Sequence, residues 1–233
     1  GGGGARLILQ NPDDVMLFQE ARLVAPHSIK LIPGSGVDSA RFMPTSTMRR
    51  GARFRVLLAA RLLWDKGIRE FVSAARILNS KKFNIDFLLA GEPDPGNPAA
   101  VPESDINAWI AEGLIQWLGH VEDMVELFGT VDVVVLPSYR EGLPKGLIEA
   151  GSSGLPLVTT DVPGCREVVT DEVDGLLVPP RDSQALAFAI ERLFSDPSLC
   201  ERLGCAARAK VLKEFDEKIV IGRTVDVYKE LLD

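Results

Sequence analysis

The chain has 233 residues, 46% of them hydrophobic and 25% charged, the make-up of a soluble globular protein of one or two domains. Its formal charge of −7 excludes a general attraction to nucleic acid or anionic lipid, so any phosphate site must be a local positive feature. Three cysteines (Cys165, Cys200 and Cys205) neither pair evenly nor show metal-ligand spacing, and there is no long apolar run or signal-peptide pattern, so the expectation is a cytoplasmic protein with reduced thiols and no transmembrane segment.

Residues 1–4, all glycine, resemble a linker or cloning scar, because glycine loses the most backbone freedom on ordering. Residues 6–10 form a short strand candidate. Asn11-Pro12-Asp13-Asp14 then combines a capping residue, a proline and an acidic first turn, and predicts a helix over 12–24. Residues 29–32 read as a second short strand, ended by Gly34-Ser35-Gly36-Val37-Asp38, a turn rich in residues that tolerate positive φ. The segment 42–53, with Pro44, Gly51 and several Ser and Thr, reads as a linker. This opening is too small for a complete α/β domain, so 5–48 is assigned to the end of an upstream domain and its linker, and 49–233 to a domain of its own.

From Arg53 onward, short apolar runs alternate with helical periods. Strands are expected at 54–59, 85–90, 115–118, 131–136, 156–160 and 175–178. Ile68, Phe71, Val72, Ala75 and Leu78 make one apolar helix stripe, Leu186, Ile190 and Leu193 another, and Ile221, Val225, Tyr228 and Leu232 a third. Strands that are apolar on both faces belong to a sheet covered on both sides, so the fold class is α/β with a doubly wound parallel sheet. The stretch 92–102 is a proline-rich loop.

In such a sheet, ligands bind beyond the carboxyl ends of the strands. There the chain offers Arg61 and Lys66 after the first strand, Gly119 and His120 after the third, and Tyr139-Arg140-Glu141-Gly142-Leu143-Pro144-Lys145 after the fourth. That last run reads as a turn feeding a helix whose first turn carries Pro144 and Lys145. A helix N-terminus presents free N–H groups and positive potential to an anion. Arg61 offers a planar fork and Lys66 a mobile point charge, a pair suited to a diphosphate. Two carboxylates bracket the turn, Glu141 and Glu149, and in an anion site these should face hydroxyls or cations; a nucleotide sugar supplies both phosphate and hydroxyls. Against this stands a plainer reading in which Pro144 and Glu149 are ordinary helix residues and Arg61 and Lys66 pair with neighbours such as Asp65 or Glu70. His120 reads as a loop histidine flanking a base or packing on the sheet. Cys165 reads as a small residue at a helix start without a base to activate it.

The series Arg61-Leu62-Leu63-Trp64-Asp65-Lys66-Gly67, Glu141-Gly142-Leu143-Pro144 through Glu149-Ala150, Gly154-Leu155-Pro156, Glu167-Val168-Val169 and Asp174-Gly175-Leu176-Leu177-Val178-Pro179 resembles the donor-binding half of retaining GT-B glycosyltransferases of the family 4, or group 1, type. Glu141 and Glu149 stand eight apart, as in that family's two-glutamate signature. Residues 34–38 resemble its interdomain turn, and 161–167 is most similar to bacterial enzymes that extend lipid-linked surface polysaccharides, often from UDP-sugars.

The resemblance implies a Rossmann-like, nucleotide-sugar-binding domain over 49–233, with most of the acceptor domain absent from the chain. It implies that Arg61 and Lys66 bind the donor diphosphate, that Glu149 holds the ribose hydroxyls and Glu141 lies beside the donor sugar, and that the Gly142 and Leu143 amides face sugar and phosphate. Arg61, Lys66 and Glu141 are thereby the catalytic candidates; His120, Gly142, Leu143, Pro144, Lys145 and Glu149 complete the donor site, the phosphate contact of Lys145 being read from its charge and helix position. Eight residues of helix would set the two glutamates about 12 Å apart, so that they grip different parts of one long ligand. The implied function is hexosyl transfer with retention from a UDP-sugar to a lipid-linked saccharide, without metal or other cofactor, at the inner face of the membrane by peripheral association. The fragment alone is expected to be inactive. The alternatives are a nucleotide-sugar epimerase or phosphorylase of the same plan, or a non-catalytic nucleotide-binding module.

Overall fold

The computed structural model describes residues 5–34, 36–45 and 53–232. The four-glycine start, Ser35 of the expected interdomain turn and residues 46–52 of the expected linker lie outside them.

Strands β1 (Leu7–Leu9) and β2 (Ile29–Leu31) form a parallel two-stranded sheet joined through α1 (Pro12–Glu20). The larger sheet contains β3 (Phe54–Ala59), β4 (Ile85–Ala90), β5 (Gln116–Gly119), β6 (Val133–Leu136), β7 (Leu157–Thr160) and β8 (Leu176–Val178), all parallel, in the order β5-β4-β3-β6-β7-β8. Each expected strand of this sheet is present to within two residues. The connecting helices are α2 (Ile68–Ser80), α3 (Glu103–Ala111), α4 (Met124–Phe128), α5 (Lys145–Ser152), α6 (Cys165–Val168), α7 (Ser183–Ser195), α8 (Pro197–Glu214) and α9 (Glu217–Leu232). Among the described residues no helix is long and apolar enough to cross a membrane.

Alternation along β3 shows why the sheet is doubly wound. Val56 and Leu58 point into one core with Phe71 and Leu78 of α2 and Leu186 and Ile190 of α7. Leu57 points into the other, with Leu147 and Ile148 of α5 and Val211 of α8. Every residue of β6 and β7 is buried, as a strand covered on both faces requires. Burying each such Val or Leu is worth about 1.5–3 kcal/mol; the stripes at 68–78 and 186–193 cover one face of the sheet, and α5 and α8 cover the other.

Chain order reverses at β3. The chain moves outward through β4 and β5, then returns to pair β6 with the opposite edge of β3 at Val56↔Val133 and Leu57↔Val134. The strand order therefore switches at β3, the kind of point in an open parallel sheet beyond whose carboxyl end ligands bind.

Three expectations are corrected. Helix α1 stops at Glu20 rather than reaching 24, because Arg22 turns left-handed at φ +52° and redirects the chain toward β2. Phe42 is not a free linker residue: it is buried, packs on Phe128 with ring centroids 6.1 Å apart, and its carbonyl accepts from Ser152 Oγ at 2.8 Å. The stripe Ile221, Val225, Tyr228 and Leu232 faces solvent, each at least 41% exposed. The buried face of α9 is instead Val220 and Val227, which meet Ile32 beside β2, while Lys30 pairs with Glu230 at 2.6 Å. Helical period was read correctly there, but what a stripe buries depends on which element lies opposite, and Ile32 lies against the Val220–Val227 face.

Candidate functional site

At the end of β3 a single 3-10 turn, Trp64–Lys66, brings Lys66 to the start of α2. Gly67 caps that helix at φ +74°, and a Cβ there would stand 2.0 Å from the Pro137 carbonyl oxygen. Only glycine allows the two loops to approach so closely. They are also stitched together: the Tyr139 N–H and the Ser138 hydroxyl donate to the Asp65 carbonyl at 2.8 and 3.0 Å, and the Tyr139 hydroxyl donates to Glu70 at 2.7 Å. Burial and the Glu70 carboxylate push the Tyr139 hydroxyl up to about 12, so it keeps its proton and its role as donor.

This stitching brings Lys66 against Glu141, Nζ to Oε1 2.7 Å, with side chains only 16% and 12% exposed. Lys66 thus pairs with the turn glutamate rather than with Asp65 or Glu70. Beneath the turn, Cys165 is fully buried; desolvation pushes its thiol up to about 11, which keeps it protonated and removes it as a nucleophile.

A cleft of about 430 Å³ opens at the carboxyl ends of β3, β4 and β5. Arg61, His120 and Glu149 all line it, together with Ala59, Gly146 and the loop Gly91-Glu92-Pro93-Asp94-Pro95. Arg61 is 68% exposed and pairs with Asp94 at 3.1 Å. The β4 loop is held by the Trp117 indole N–H, which donates to the Gly91 carbonyl at 2.8 Å, and by the Gly91 N–H, which donates to the Gly119 carbonyl at 2.7 Å.

Between the cleft and the Lys66–Glu141 pair runs Gly142-Leu143-Pro144-Lys145, none of which lines the cleft. Pro144 is the N-cap of α5 rather than part of its first turn, and Lys145 is the first helical residue. Consequently only the second half of the Glu141–Glu149 interval is helical, and the separation of about 12 Å expected from a continuous helix does not apply. Lys145 has a local partner as well, Glu149 at 3.6 Å, so its place in the first turn does not by itself call for a bound anion. Burial raises the Glu149 carboxyl above its ordinary value, and the nearby Lys145 ammonium offsets part of that rise.

Sequence reasoning passed over the β4 loop, which it read as a proline-rich segment. The signal was present, since Gly91 directly follows a strand at the carboxyl edge. No group of three or more His, Cys, Asp or Glu side chains among the described residues is placed to hold a metal ion.

Residues 53–196 match the family described as Glycosyl transferases group 1. The chain belongs to this family. It is 34% identical over 177 residues to N,N'-diacetylbacillosaminyl-diphospho-undecaprenol alpha-1,3-N-acetylgalactosaminyltransferase of Campylobacter jejuni, a match covering 76% of this chain and 45% of that protein. Among solved structures it is similar to sucrose-phosphate synthase of Thermosynechococcus elongatus, with a TM-score of 0.83 and 28% identity over 97% of this chain and 58% of the other. It is also similar to the pneumococcal O-GlcNAc transferase GtfA in complex with UDP and GlcNAc, with a TM-score of 0.79 and 25% identity over 97% of this chain and 45% of that one. The group 1 chain thus spans about half the length of the curated relatives it matches, and its fold is that of GT-B glycosyltransferases.

Proposed function

We propose that this group 1 chain is the donor-binding half of a retaining glycosyltransferase that takes a hexose from a UDP-sugar and passes it to a lipid-linked saccharide. In this reading, residues 5–48 are the end of the acceptor domain with its linker and residues 49–233 are the donor domain. The observation that carries it is the convergence at one sheet edge of Arg61, His120 and Glu149 on a cleft of about 430 Å³, with the Lys66–Glu141 pair and the N-terminus of α5 beside it. A long ligand with a ribose diol, a diphosphate and a sugar has a complementary group for each. Support comes from the UDP and GlcNAc held by the pneumococcal relative and from the diphospho-undecaprenol acceptor in the Campylobacter enzyme's name. Family membership weighs for the enzyme over the binding module.

Each residue has a role in that chemistry. Glu149 accepts hydrogen bonds from the ribose hydroxyls. Arg61 turns from Asp94 to the diphosphate, and Lys66 meets it from the other side while keeping its place beside Glu141. As the glycosidic bond breaks, negative charge grows on the leaving diphosphate, and these two cations with the free N–H groups of α5 stabilise it without a metal ion. Glu141 lies toward the sugar and accepts from its hydroxyls. Acceptor binding and exclusion of water fall to the upstream half, so joining that half should raise sugar transfer about a hundredfold or more over this chain alone. Calorimetry with UDP, followed by transfer assays with and without the upstream half, tests the reading. An isolated chain that fails to bind UDP, or that transfers sugar at the rate of the full protein, overturns it.

A further inference from the structure

Asn11 belongs to the small upstream sheet-and-helix unit, yet its side chain is bonded into the Glu141 turn. It is only 1% exposed. Its Oδ1 accepts from the Asp14 N–H at 2.8 Å, which is the cap of α1. Its Nδ2 donates twice, to Asp14 Oδ2 at 2.8 Å and to the Gly142 carbonyl at 3.0 Å. The first two bonds belong to the helix start that the sequence announced. The third crosses 131 positions of chain and has no helical purpose.

The Gly142 carbonyl is closed in from the other side too. Gly164 lies at φ +80°, and a Cβ there would stand 2.5 Å from the Gly142 oxygen and 2.6 Å from the Glu141 oxygen. Elsewhere the turn meets the upstream unit again, where a Cβ on Gly34 would reach Leu143 Cδ2 at 2.7 Å. A trans peptide points its C=O and the following N–H in opposite directions. Fixing the Gly142 oxygen on Asn11 therefore fixes the Leu143 N–H on the opposite side, away from Asn11 and Gly164.

We propose that Asn11 is a positioning residue of the donor site: by holding the Gly142 carbonyl, its carboxamide sets the peptide that aims the Leu143 N–H at the donor's diphosphate–sugar end. This rests on the proposed function for the ligand's identity, but the bond itself is a property of the protein alone. Without the bond the peptide is held less firmly, by packing against Gly164, and a rotated peptide would turn an oxygen toward an anionic ligand in place of an N–H. The upstream unit thereby takes part in donor recognition as well as lying next to it.

Two substitutions separate the clamp from the cap. Asn11→Ser and Asn11→Asp both keep a capping oxygen and lose the carboxamide N–H that reaches the Gly142 carbonyl, since a serine hydroxyl is one heavy atom shorter and a carboxylate has no proton to give. Both are expected to keep α1 capped while lowering the thermal midpoint, Asn11→Asp further because its buried carboxylate then faces that of Asp14, and to shift the Gly142 carbonyl carbon and Leu143 nitrogen resonances in NMR spectra of the ligand-free protein. Asp14→Ala, which removes the other acceptor of Nδ2, should leave those resonances in place. Affinity for UDP-N-acetylglucosamine should fall about tenfold in both Asn11 variants, the scale of one charge-assisted hydrogen bond, while affinity for UMP changes less than twofold. Equal losses for the two nucleotides would reduce Asn11 to a structural residue and overturn the proposal, as would resonances that do not move. A wild-type chain that binds neither nucleotide would remove the donor-site reading, and with it the aim assigned to the Leu143 N–H, even where the resonances show the clamp to exist.

Discussion

The two cationic arms of the site are built in opposite ways. Lys66 is mostly buried, paired at 2.7 Å, and delivered by a loop that is hydrogen-bonded to its neighbour at Asp65 and Glu70. Arg61 is 68% exposed and rests on Asp94 across the mouth of the cleft. A surface ion pair of that kind is worth about 0–1 kcal/mol, so releasing Arg61 from Asp94 for the proposed diphosphate would cost little, although ordering its side chain costs up to about 2 kcal/mol. Lys66 has its ordering cost met when the protein folds. The contrast is between a preset contact and a recruited one, and it implies that damage on the Lys66 side is felt in folding while damage on the Arg61 side is felt in binding alone.

The harshest way to break the preset side is at Gly67. An alanine there suffers both the positive φ and a Cβ at 2.0 Å from the Pro137 oxygen. Gly113 has a similar φ of +70° with nothing within 4 Å, which makes it a control for the backbone term alone. Gly113→Ala is expected to cost about 1–2 kcal/mol, and Gly67→Ala at least about 3 kcal/mol, because the loops must also separate. Urea denaturation of both variants decides it; equal costs would mean that the loop contact at Gly67 is not tight.

A milder pair of substitutions sharpens the same comparison. Arg61→Ala and Lys66→Ala should each weaken UDP binding by about 1.5–3 kcal/mol, the loss of a charge-assisted phosphate contact. Their stabilities should differ. Lys66→Ala leaves Glu141, 12% exposed, without its cation and should cost about 1–3 kcal/mol, whereas Arg61→Ala should stay within about 0.5 kcal/mol of the parent. Unchanged UDP affinity in both folded variants would remove the diphosphate assignment, and equal stabilities would remove the distinction between preset and recruited arms.

What the sequence made legible follows the same divide between local and distant causes. The strands β3 and β4 are found at the residues expected, because a continuous Leu- and Val-rich run between breakers admits one local answer. Arg61, His120 and Glu149 could be assigned to one cleft because parallel strands bring their carboxyl ends to one edge whatever the loops do. Pairings were not legible. Nothing local says that Lys66 meets Glu141, 75 positions away, or that Asp94 holds Arg61. Asn11 is the clearest case, since every local sign made it a helix cap and that reading was true but incomplete. The solvent-facing stripe of α9 fails for the same reason in reverse: its period is local, but its partner would have to come from elsewhere.

The gentlest test sits within the cleft itself, at Glu149, where burial raises the carboxyl pKa above its ordinary 4.5. A carboxylate accepts from two ribose hydroxyls, whereas the amide of Glu149→Gln has one acceptor oxygen, so that variant should lose about 0.5–1.5 kcal/mol of UDP affinity and almost none for inorganic pyrophosphate. The pH dependence follows from the direction of the shift. With its pKa raised, Glu149 takes up a proton at a higher pH than an exposed glutamate does, and the protonated form resembles the glutamine variant in having fewer acceptors. The advantage of the parent over Glu149→Gln in UDP binding should thus be full at neutral pH and shrink as pH falls, with a midpoint above 4.5. Taking the difference between the two proteins cancels the titration of the nucleotide's own phosphates. A difference that stays constant down to pH 4.5, or a loss as large for pyrophosphate as for UDP, would show that Glu149 acts through the fold or through general electrostatics rather than by holding the ribose.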